Sequence, residues 1–392
     1  MLRMIRFEFS KLFHRGIVVG AVIALLAINL CILRSTTIET VLPDGTKLSG
    51  REAVAYNQSV AARYAGDFTD DTIARIVSDL AAEYPDKYAE IVSEERVDGS
   101  LPTIYQQAVL FIPTSGYKEA AKQAQEQGGS VSPLNEYGLI SMADLFADFD
   151  QPLQYGFSDS WYRFVTGYAS SFISIAVVAL MVIIIGVSTI FSSEYSLKTD
   201  ALILTTQYGK NRQIIAKLLT CIMFATVIMG GLFVMSCAVY APQYGLDGWN
   251  ADIQTNIWLM FNRVLIPMNN LQLIFFALLL AWLAGIFTAG LTAVLSAVTK
   301  TPFSSLIIAL TVFILPGIFR QTLDGAVRDS LIVFPVNAVN TPEVIRTHTY
   351  AGSIFYGQPF APLQWIVIAS VTVLILSGIT AYNVFKSHQV KG

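Results

Sequence analysis

The sequence predicts an all-α integral membrane protein with six transmembrane helices and a mainly helical extracytoplasmic domain between the first and second helices. Three observations lead to this fold class. Apolar residues form long runs, charged residues make up only 14% of the chain, and Lys and Arg collect in particular loops. An ordinary soluble domain carries about 25% charged residues. The low fraction of charged residues and the clustering of apolar residues together exclude a soluble enzyme.

Six apolar segments meet or nearly meet the length needed to cross a membrane. A crossing helix needs about 20 apolar residues, because the hydrocarbon core is about 30 Å thick and a helix rises about 1.5 Å per residue. Backbone polar groups in lipid must be satisfied within the segment, so helix is the expected state. The segments are Gly16 to Leu33, Phe164 to Phe191, Ile214 to Tyr240, Leu271 to Val298, Phe303 to Phe319 and Pro362 to Phe385.

The first apolar segment has a rival interpretation as a cleaved signal peptide, because an Arg-bearing start precedes it. The stretch Asn29 to Arg34 offers no small-x-small cleavage site, and the apolar run is longer than a usual signal core. We therefore expect this segment to be retained as the first transmembrane helix.

The distribution of basic residues orients the chain. Six crossings place both termini on one side, and the segments on that side carry eleven bases against Glu8, Glu194 and Asp200. Lys and Arg concentrate on the cytoplasmic side of membrane proteins. The sequence therefore predicts a multi-pass protein of the bacterial cell membrane with both termini in the cytoplasm. The bases are Arg3, Arg6, Lys11, Arg15, Lys198, Lys210, Arg212, Lys217, Lys300, Lys386 and Lys391.

The hydrophilic stretch 34–161 is long enough to form a domain and is expected outside the cell. Apolar residues from Ile73 to Ile91 recur at three- and four-residue steps, after capping residues at 69–71, which predicts a helix. A second helix is expected over Gly116 to Gln127, and a small hairpin over Val41 to Leu48. An acidic soluble cap and a substrate-handling domain remain equally open as roles for this stretch.

Two segments flank the membrane crossings. Residues 1–15 form a cytoplasmic amphipathic segment in which Ile5, Phe9, Leu12 and Phe13 can share one face. Its bases Arg3, Arg6 and Lys11 are available to anionic lipid. Residues 320–360 form an extracytoplasmic segment, and its apolar run Leu331 to Pro335 is too short to cross. Trp161, before the second crossing, is expected at the lipid interface.

The loop 192–213 between the second and third crossings carries the most specific pattern. Leu197, Ala201, Leu202 and Leu204 predict one apolar face, and Glu194, Lys198 and Asp200 a polar face, as in a short helix lying on the membrane surface. Residues 208–212 then turn the chain into the next crossing. A connecting loop with basic anchors is the alternative.

This loop resembles that of the type-2 ATP-binding-cassette (ABC-2) exporter permeases. Their usual pattern is Glu, then Gly-Thr, Leu-Leu, a Pro/Arg turn and Lys. The matching positions here are Glu194, Thr199, Leu202, Arg212 and Lys217. Lys198 stands where the family often has Gly, and Tyr208-Gly209 where it often has Pro. The order of the segments along the whole chain is similar as well.

The resemblance implies a permease subunit that forms a dimer with a second permease chain, homologous or identical, and docks on two cytosolic ATPase subunits. The docking residues would be Glu194, Lys198, Thr199, Leu202, Gly209, Lys210, Arg212 and Lys217, with the amino-terminal segment beside them. The resemblance also implies short extracytoplasmic or re-entrant helices over 320–360, expected at Asp324 to Phe334. A purely lipid-facing anchor remains the alternative for residues 1–15.

Other chemistry is not indicated by the sequence. The chain contains no phosphate-cradling Gly-x-x-x-x-Gly-Lys-Ser/Thr motif, so ATP and Mg would be bound by the partner ATPase, and we expect no cofactor in this chain. No catalytic set, metal-ligand spacing or nucleic-acid partner is predicted. The crossings carry no ionisable residue near their middles, which disfavours an ion-coupled carrier and suits an apolar or amphipathic cargo. A membrane-anchored sensor or scaffold, whose extracytoplasmic domain binds a ligand without transport, is the alternative function.

Overall fold

The computed structural model describes residues 1–35, 38–94, 98–126, 134–166, 172–199, 211–256 and 260–387. The chain divides into two compact units, each assembled from separate stretches. The first, which we call the membrane unit, comprises Met1–Leu33, Val165–Val239 and Phe275–Gly392. The second, which we call the polar unit, comprises Arg34–Phe164 and Tyr240–Ile274.

The described residues are mostly helical and contain little sheet. In chain order, the helices are α1 Leu2–Phe13, α2 Gly16–Ser35, α3 Arg51–Ala62, α4 Asp70–Glu83, α5 Pro85–Glu94, α6 Thr103–Ala108, α7 Ser115–Glu126, α8 Met142–Leu145, α9 Asp159–Thr166, α10 Phe172–Val187, α11 Ser192–Ser196, α12 Arg212–Tyr244, α13 Asn270–Val298, α14 Pro302–Thr322, α15 Gly325–Ser330, α16 Pro335–Ala338, α17 Thr341–Arg346 and α18 Ala361–Ser387. The strands are β1 Glu39–Val41, β2 Lys47–Ser49, β3 Gly66–Phe68 and β4 Leu153–Tyr155.

Five helical segments of the described chain are long and apolar enough to cross a membrane. A sixth crossing is added if α1 and Gly16–Ile32, which meet at a bend of 73°, are counted as one broken span. These lengths and compositions are those of a membrane-embedded helical protein. The five segments are Phe172–Ser196, Arg212–Tyr244, Asn270–Val298, Pro302–Thr322 and Ala361–Phe385.

The predicted crossings from the third onwards lie within these segments. The second predicted crossing differs more from the observed segment. Its predicted range began at Phe164, whereas α9 ends at Thr166 and the apolar segment runs over Phe172–Ser196. Its carboxyl end therefore includes Glu194, which the sequence placed in the following loop. Residues 167–171 lie outside the described part of the chain.

Glycines permit close helix contacts inside the membrane unit. A Cβ atom built on Gly186 of α10 would lie 2.5 Å from the ring of Phe224 in α12. A Cβ on Gly290 of α13 would lie 3.5 Å from the Cα atom of Leu374 in α18. Small residues at such positions let membrane helices approach one another closely, where lipid offers no hydrophobic gain from association.

Short helices fill the chain between α14 and α18. Helical structure was expected over Asp324 to Phe334, and α15 with the 3-10 turn Leu331–Val333 confirms it. Ile332, which is fully buried, lies in an apolar core formed with α13 and α18. The buried members of this core are Leu280, Leu283, Ile332, Ala338, Val344, Phe355 and Ile366.

The polar unit contains two small antiparallel sheets. Strands β1 and β2 pair Thr40 with Leu48, which confirms the hairpin expected over Val41 to Leu48. Its turn is stabilised by Asp44, whose Oδ1 accepts the Thr46 amide hydrogen at 2.9 Å. Strands β3 and β4 pair Asp67 with Gln154, a contact between distant parts of the sequence that was not predicted.

Helix α4 supplies the core of the polar unit. Thr69 accepts a hydrogen bond from the Thr72 amide and begins the helix, as its capping residues predicted. The predicted apolar positions within α4 are buried, which confirms this part of the face: Ile73, Ile76, Val77 and Leu80. The predicted helix does not continue unbroken to Ile91, because α4 ends at Glu83 and the chain starts α5 at Pro85. Of the later positions, Tyr84 and Ile91 are buried and Tyr88 is half-buried. The second predicted helix is present as α7, Ser115–Glu126, and its expected end at Gln127 lies outside the described residues.

The polar unit is completed by a second stretch of chain, Tyr240–Ile274, which the sequence did not assign to it. Trp161 explains part of this attachment. Its indole Nε1 donates to the Asp247 carbonyl oxygen at 2.7 Å, and only 6% of the residue is exposed. The expectation that Trp161 lies at the lipid interface is therefore wrong, because its polar edge is satisfied inside the polar unit.

Candidate functional site

Three parts of the membrane unit meet at one polar junction. Helix α1 contributes Glu8 and Lys11, which are three residues apart and so share a helix face. Helix α11 contributes Glu194, and the second turn of α12 contributes Lys217. We call these four residues the charge cluster.

Lys217 lies at the centre of the charge cluster, with only 1% of its side chain exposed. Its Nζ is 2.6 Å from Glu194 Oε1, 3.4 Å from Glu8 Oε2 and 2.8 Å from the Ile190 carbonyl oxygen. An ammonium group has three hydrogens to donate, so these acceptors use all of them. The ring centroid of Phe191 lies 5.5 Å from the same nitrogen and adds a cation–π contact.

Further polar side chains surround the buried pair. Lys11 Nζ lies 3.1 Å from Glu8 Oε1 and 3.8 Å from Glu194 Oε1. Gln213 donates to Glu8 Oε1 at 3.4 Å. Arg15, which follows α1, donates to Ser193 Oγ at 2.9 Å. The two carboxylates are thus balanced by two ammonium groups, with a guanidinium nearby.

Burial makes the charge cluster hard to separate. Glu8 retains 2% and Glu194 6% of side-chain exposure. Removing one member of a buried ion pair leaves an uncompensated charge and costs about 3–5 kcal/mol, although the intact pair itself stabilises little. Glu194 Oε2 has no hydrogen-bond partner within the described part of the chain. The arrangement therefore suits mechanical connection of α1, α11 and α12.

Helix α11 ends in a backbone motif that fixes the residues after Glu194. The Thr199 amide donates to the Glu194 carbonyl at 3.0 Å, and the Lys198 amide donates to the Tyr195 carbonyl at 3.1 Å. This is the Schellman pattern, which needs a left-handed residue after the helix. Lys198 occupies that position with φ 55°. Glycine is the residue that adopts this conformation without steric cost.

The structure brings together some of the predicted site residues. Glu194 and Lys217 are in contact, Lys11 joins them, and Thr199 lies five residues from Glu194 in the same turn. Lys198, Arg212, Arg3 and Arg6 are exposed. Leu202, Gly209 and Lys210 lie outside the described residues.

The predicted faces of the loop helix hold for Lys198, which is exposed, but not for Glu194 and Leu197. Glu194, assigned to the polar outer face, is 5% exposed, whereas Leu197, assigned to the apolar face, is 70% exposed. The reason is the ion pair with Lys217, which draws the carboxylate inward. Helix α11 also ends at Ser196, and Lys198 has a left-handed backbone with φ 55°. The short helix predicted in the loop 192–213 therefore does not continue unbroken through Lys198.

The apolar face of α1 packs on protein. Ile5 and Leu12 are buried, and the ring of Phe13 lies 5.8 Å from that of Phe224 in α12 in an edge-on arrangement. Thr220 of α12 donates to the Ile5 carbonyl at 3.5 Å. The sequence left lipid and protein open as partners of this face, and the contacts with α12 favour protein.

The sequence did not identify Glu8, Arg15 or Gln213 as site residues. Glu8 gave a usable signal, because it is the only carboxylate in the first 38 residues and lies among bases on a predicted amphipathic helix. A lone acid in a strongly basic segment suggests a specific partner. Nothing in the local pattern, however, identifies Lys217 as that partner, since the two residues are 209 positions apart.

The polar unit contains a separate open cavity of about 590 Å³. Phe146 lies on its wall and contacts Phe68 and Phe111 with ring centroids 6.0 and 6.1 Å apart. Asp70, on the same wall, accepts the Met142 amide hydrogen at 2.9 Å. The mixture of aromatic and acidic groups suits a ligand of mixed polarity.

Comparison with protein-family models, curated proteins and solved structures found no match. The fold therefore defines only a broad class, that of a membrane-embedded helical protein. Within the described residues, no group of three or more His, Cys, Asp and Glu side chains is placed to hold a metal ion. The charge cluster joins α1, α11 and α12 within the described part of the membrane unit.

Proposed function

We propose that this chain is the membrane-spanning permease subunit of an ATP-binding-cassette exporter, with ATP hydrolysed by separate cytosolic ATPase subunits that carry the Mg and nucleotide sites. The supporting observation is the charge cluster. It connects the amino-terminal helix, the start of the loop with ABC-2 resemblance and the third predicted crossing through Glu8, Glu194 and Lys217.

The charge cluster can transmit a movement of one helix to the other two helices that it joins. A partner that moves the segment after Glu194 would also move α1 and α12, because separating Lys217 from its carboxylates would leave buried charges uncompensated. ATP binding and hydrolysis would then shift the population between inward- and outward-facing states of a permease dimer. The transported molecule would be apolar or amphipathic, such as a peptide, antibiotic or lipid.

The exposed residues beside the charge cluster suit docking of a cytosolic partner. Leu197 is 70% exposed, and its neighbour Lys198 and the more distant Arg212 are also exposed. An exposed leucine beside a base resembles the centre and rim of a protein interface. The proposal places this surface, and both termini, in the cytoplasm of a bacterial cell according to the distribution of Lys and Arg.

Co-purification tests the proposal. The tagged chain is extracted from its native membrane in mild detergent, and an ATPase with a nucleotide-binding cassette is sought by mass spectrometry. We expect Leu197→Asp and Lys198→Glu to reduce its recovery at least several-fold, since the first puts a charge at the proposed centre of the interface and the second reverses a charge at its rim. Lys122→Glu on exposed α7 is the matched control and should leave recovery unchanged.

The result is decisive in both directions when thermal unfolding shows the variants to be folded. Absence of any such ATPase from the parent preparation would contradict the permease assignment. Equal recovery with parent, Leu197→Asp and Lys198→Glu would contradict the docking surface.

A sensor or scaffold is the second candidate, favoured by the cavity of about 590 Å³ in the polar unit. In that case the polar unit would bind a ligand while the chain has no ATPase partner. Recovery of the ATPase decides between the two functions, because ligand binding to the cavity is compatible with either.

A further inference from the structure

The open cavity of the polar unit is formed by two short pieces of chain, which lie within 68–70 and 142–153. Its volume of about 590 Å³ is that of a site for a small organic molecule. Three aromatic rings line it, those of Phe68, Phe146 and Phe149. No Lys, Arg or His is among the described residues of its wall, which carries three carboxylates, those of Asp70, Asp148 and Asp150. We call this the acidic cavity.

One side of the acidic cavity is held in place by Asp70. Its Oδ1 accepts the Met142 amide hydrogen at 2.9 Å, and its Oδ2 accepts the Ser141 hydroxyl hydrogen at 3.2 Å. Asp70 is also the first residue of α4, where the helix dipole favours a negative charge. Its charge is thus partly compensated, and these hydrogen bonds fix α8 against the start of α4.

The other two carboxylates are open to a ligand. Asp148 and Asp150 are exposed, and the ion pairs that the structure describes in the polar unit lie elsewhere, between α3 and α4 and at α5. Phe149 lies between the two carboxylates in sequence and is half-buried. Carboxylates beside an aromatic ring can hold an ammonium ion, by charge-assisted hydrogen bonds and by cation–π contact.

The negative charge extends beyond the wall. Two described bases lie near it: Arg263, whose Nη2 donates to the Asp144 carbonyl oxygen at 2.8 Å, and Arg75, which is exposed one turn after Asp71 on α4. Neither of them lines the acidic cavity. The further acids that adjoin the lining segments or bond to their ends are Asp67, Asp71, Asp144 and Asp252. This charge attracts cations and repels anions.

The apolar part of the wall is packed before any ligand binds. Phe146 stacks on Phe111 with ring centroids 6.1 Å apart, and Phe68 stacks on Tyr155 with ring centroids 5.5 Å apart. Both Phe68 and Phe146 are buried. A wall that is already ordered loses little conformational entropy on binding, so the apolar body of a ligand gains affinity from contact with it.

We propose that the acidic cavity binds a small organic cation with an aromatic or other apolar body. Asp148 and Asp150 contact its ammonium group, while Phe146 and Phe149 pack against its body. An organic cation is favoured over a metal ion, since no group of three or more His, Cys, Asp and Glu side chains in the described chain is placed to hold a metal. The proposal concerns the polar unit alone and depends neither on the exporter assignment nor on the sensor alternative.

Fluorescence anisotropy of dansylcadaverine provides the test, because this probe carries a primary ammonium group on a flexible chain attached to an aromatic body. The full chain is reconstituted in nanodiscs of phosphatidylcholine, whose headgroups carry no net charge, and empty nanodiscs correct for partition of the probe into lipid. We expect saturable binding to the parent. The N-acetyl derivative of the probe has the same body without the charge and should bind about five- to tenfold more weakly.

Variants of the wall separate recognition of the charge from recognition of the body. Asp148→Asn/Asp150→Asn should weaken binding of the amine about five- to tenfold and leave binding of the N-acetyl derivative unchanged, because only the charged probe loses its partners. Phe149→Ala should weaken both probes by a similar factor, since both have the same aromatic body.

A matched control tests the overall charge of the polar unit. Asp86→Asn/Glu119→Gln removes two carboxylates from exposed positions on α5 and α7, outside the wall of the acidic cavity, and should leave binding of the amine unchanged. Thermal unfolding checks that each variant keeps the fold.

Three outcomes would overturn the proposal. Absence of saturable binding, or equal binding of the amine and its N-acetyl derivative to the parent, would show that the cavity does not recognise an organic cation. An equal loss of amine binding in the wall variant and the control variant would assign the effect to the overall charge. Displacement of the amine by Ca²⁺, but not by Na⁺ at the same ionic strength, would identify a metal ion as the ligand.

Discussion

The Nζ atom of Lys217 lies 2.6 Å from Oε1 of Glu194, in a site where neither side chain is more than 6% exposed. The two residues belong to helices on either side of the loop on which the functional proposal depends. Glu8, from the first helix, completes the contact at 3.4 Å. This relationship implies that α1, α11 and α12 respond together to a perturbation of any one of them.

The first prediction concerns removal of the central cation. Lys217→Met leaves Glu8 and Glu194 buried without their main counter-ion, so we expect it to destabilise the membrane unit by about 3–5 kcal/mol. Thermal unfolding of the purified chain in detergent measures the change. The triple variant Lys217→Met/Glu8→Gln/Glu194→Gln removes the uncompensated charges and should recover much of the loss. A triple variant less stable than Lys217→Met would contradict this account.

The second prediction concerns the left-handed residue after α11. Lys198→Gly should stabilise the chain by about 0.5–1 kcal/mol, because an L-residue at φ 55° costs about 1–2 kcal/mol and the greater flexibility of unfolded glycine offsets only part of this. Lys198→Ala is the matched control, since it removes the charge but keeps the strain. The melting temperatures in detergent distinguish them, and a gain with alanine equal to that with glycine would be inconsistent with a backbone effect.

The third prediction concerns Gly248 in the polar unit. Its φ is 70°, and a Cβ atom there would lie 2.0 Å from the Phe157 carbonyl oxygen. Gly248→Ala must therefore displace backbone, and we expect a loss of at least about 2 kcal/mol. Gly99→Ala serves as the control, because a Cβ at Gly99 meets no atom within 4 Å. Hydrogen exchange of the polar unit should accelerate in the first variant alone.

The fourth prediction concerns pH. Asp159 is buried, and burial raises the pKa of its carboxyl group above the ordinary 3.8, against the opposing effects of Thr103, Arg163 and Asn57. The folded chain thus binds this proton more tightly than the unfolded chain. The resulting stability is fully present below the unfolded pKa and is lost as the pH rises through the raised folded pKa.

Asp159→Asn isolates this contribution, because the amide oxygen can still accept the hydrogen bond from Thr103. We expect the variant to gain stability relative to the parent as the pH rises from about 4 to 7. Unfolding midpoints of both proteins across that range provide the measurement. A difference between them that stays constant with pH would show that folding does not raise the pKa of Asp159, contrary to the prediction.

The fifth prediction concerns sidedness. After Cys31, the exposed native thiol, is replaced by serine, Lys122→Cys should react with a membrane-impermeant maleimide in intact cells, and Lys198→Cys only after lysis. The reason is that Lys and Arg concentrate on the cytoplasmic side of a membrane protein. Lys122 belongs to the acidic stretch 34–161, which is expected on the other side. The reverse labelling pattern would place the proposed docking surface outside the cell and remove the export hypothesis.

Local signals predicted much of the fold. Thr69 and the apolar repeat from Ile73 onwards predicted α4, and Asp44-Gly45 predicted the hairpin turn, because the interactions involved lie within a few residues. The apolar segments were also found, since length and composition alone decide whether a helix can lie in lipid.

The candidate site was predicted only in part, since its contacts are distant in sequence. Glu194 and Lys217 were selected through a family pattern, but their mutual contact and the burial of Glu194 were not expected. An amphipathic pattern treats a carboxylate as exposed unless its partner is known. Lys198 shows the converse case: the family often has glycine there, and the left-handed backbone supplies the physical reason.

The polar unit is interrupted by Val165–Val239, which belongs to the membrane unit. During synthesis, the stretch Arg34–Phe164 therefore leaves the ribosome before Asp252 has been made. The carboxylate of Asp252 accepts the Gln154 amide hydrogen in the folded chain. Asp252 follows the end of that stretch by 88 residues, so at about 5–20 residues per second the delay amounts to roughly 4–18 s. During that interval the incomplete polar unit lacks the Asp247 carbonyl oxygen that accepts the hydrogen bond from Trp161. We expect chaperones to bind the incomplete unit on the side of the membrane where it emerges.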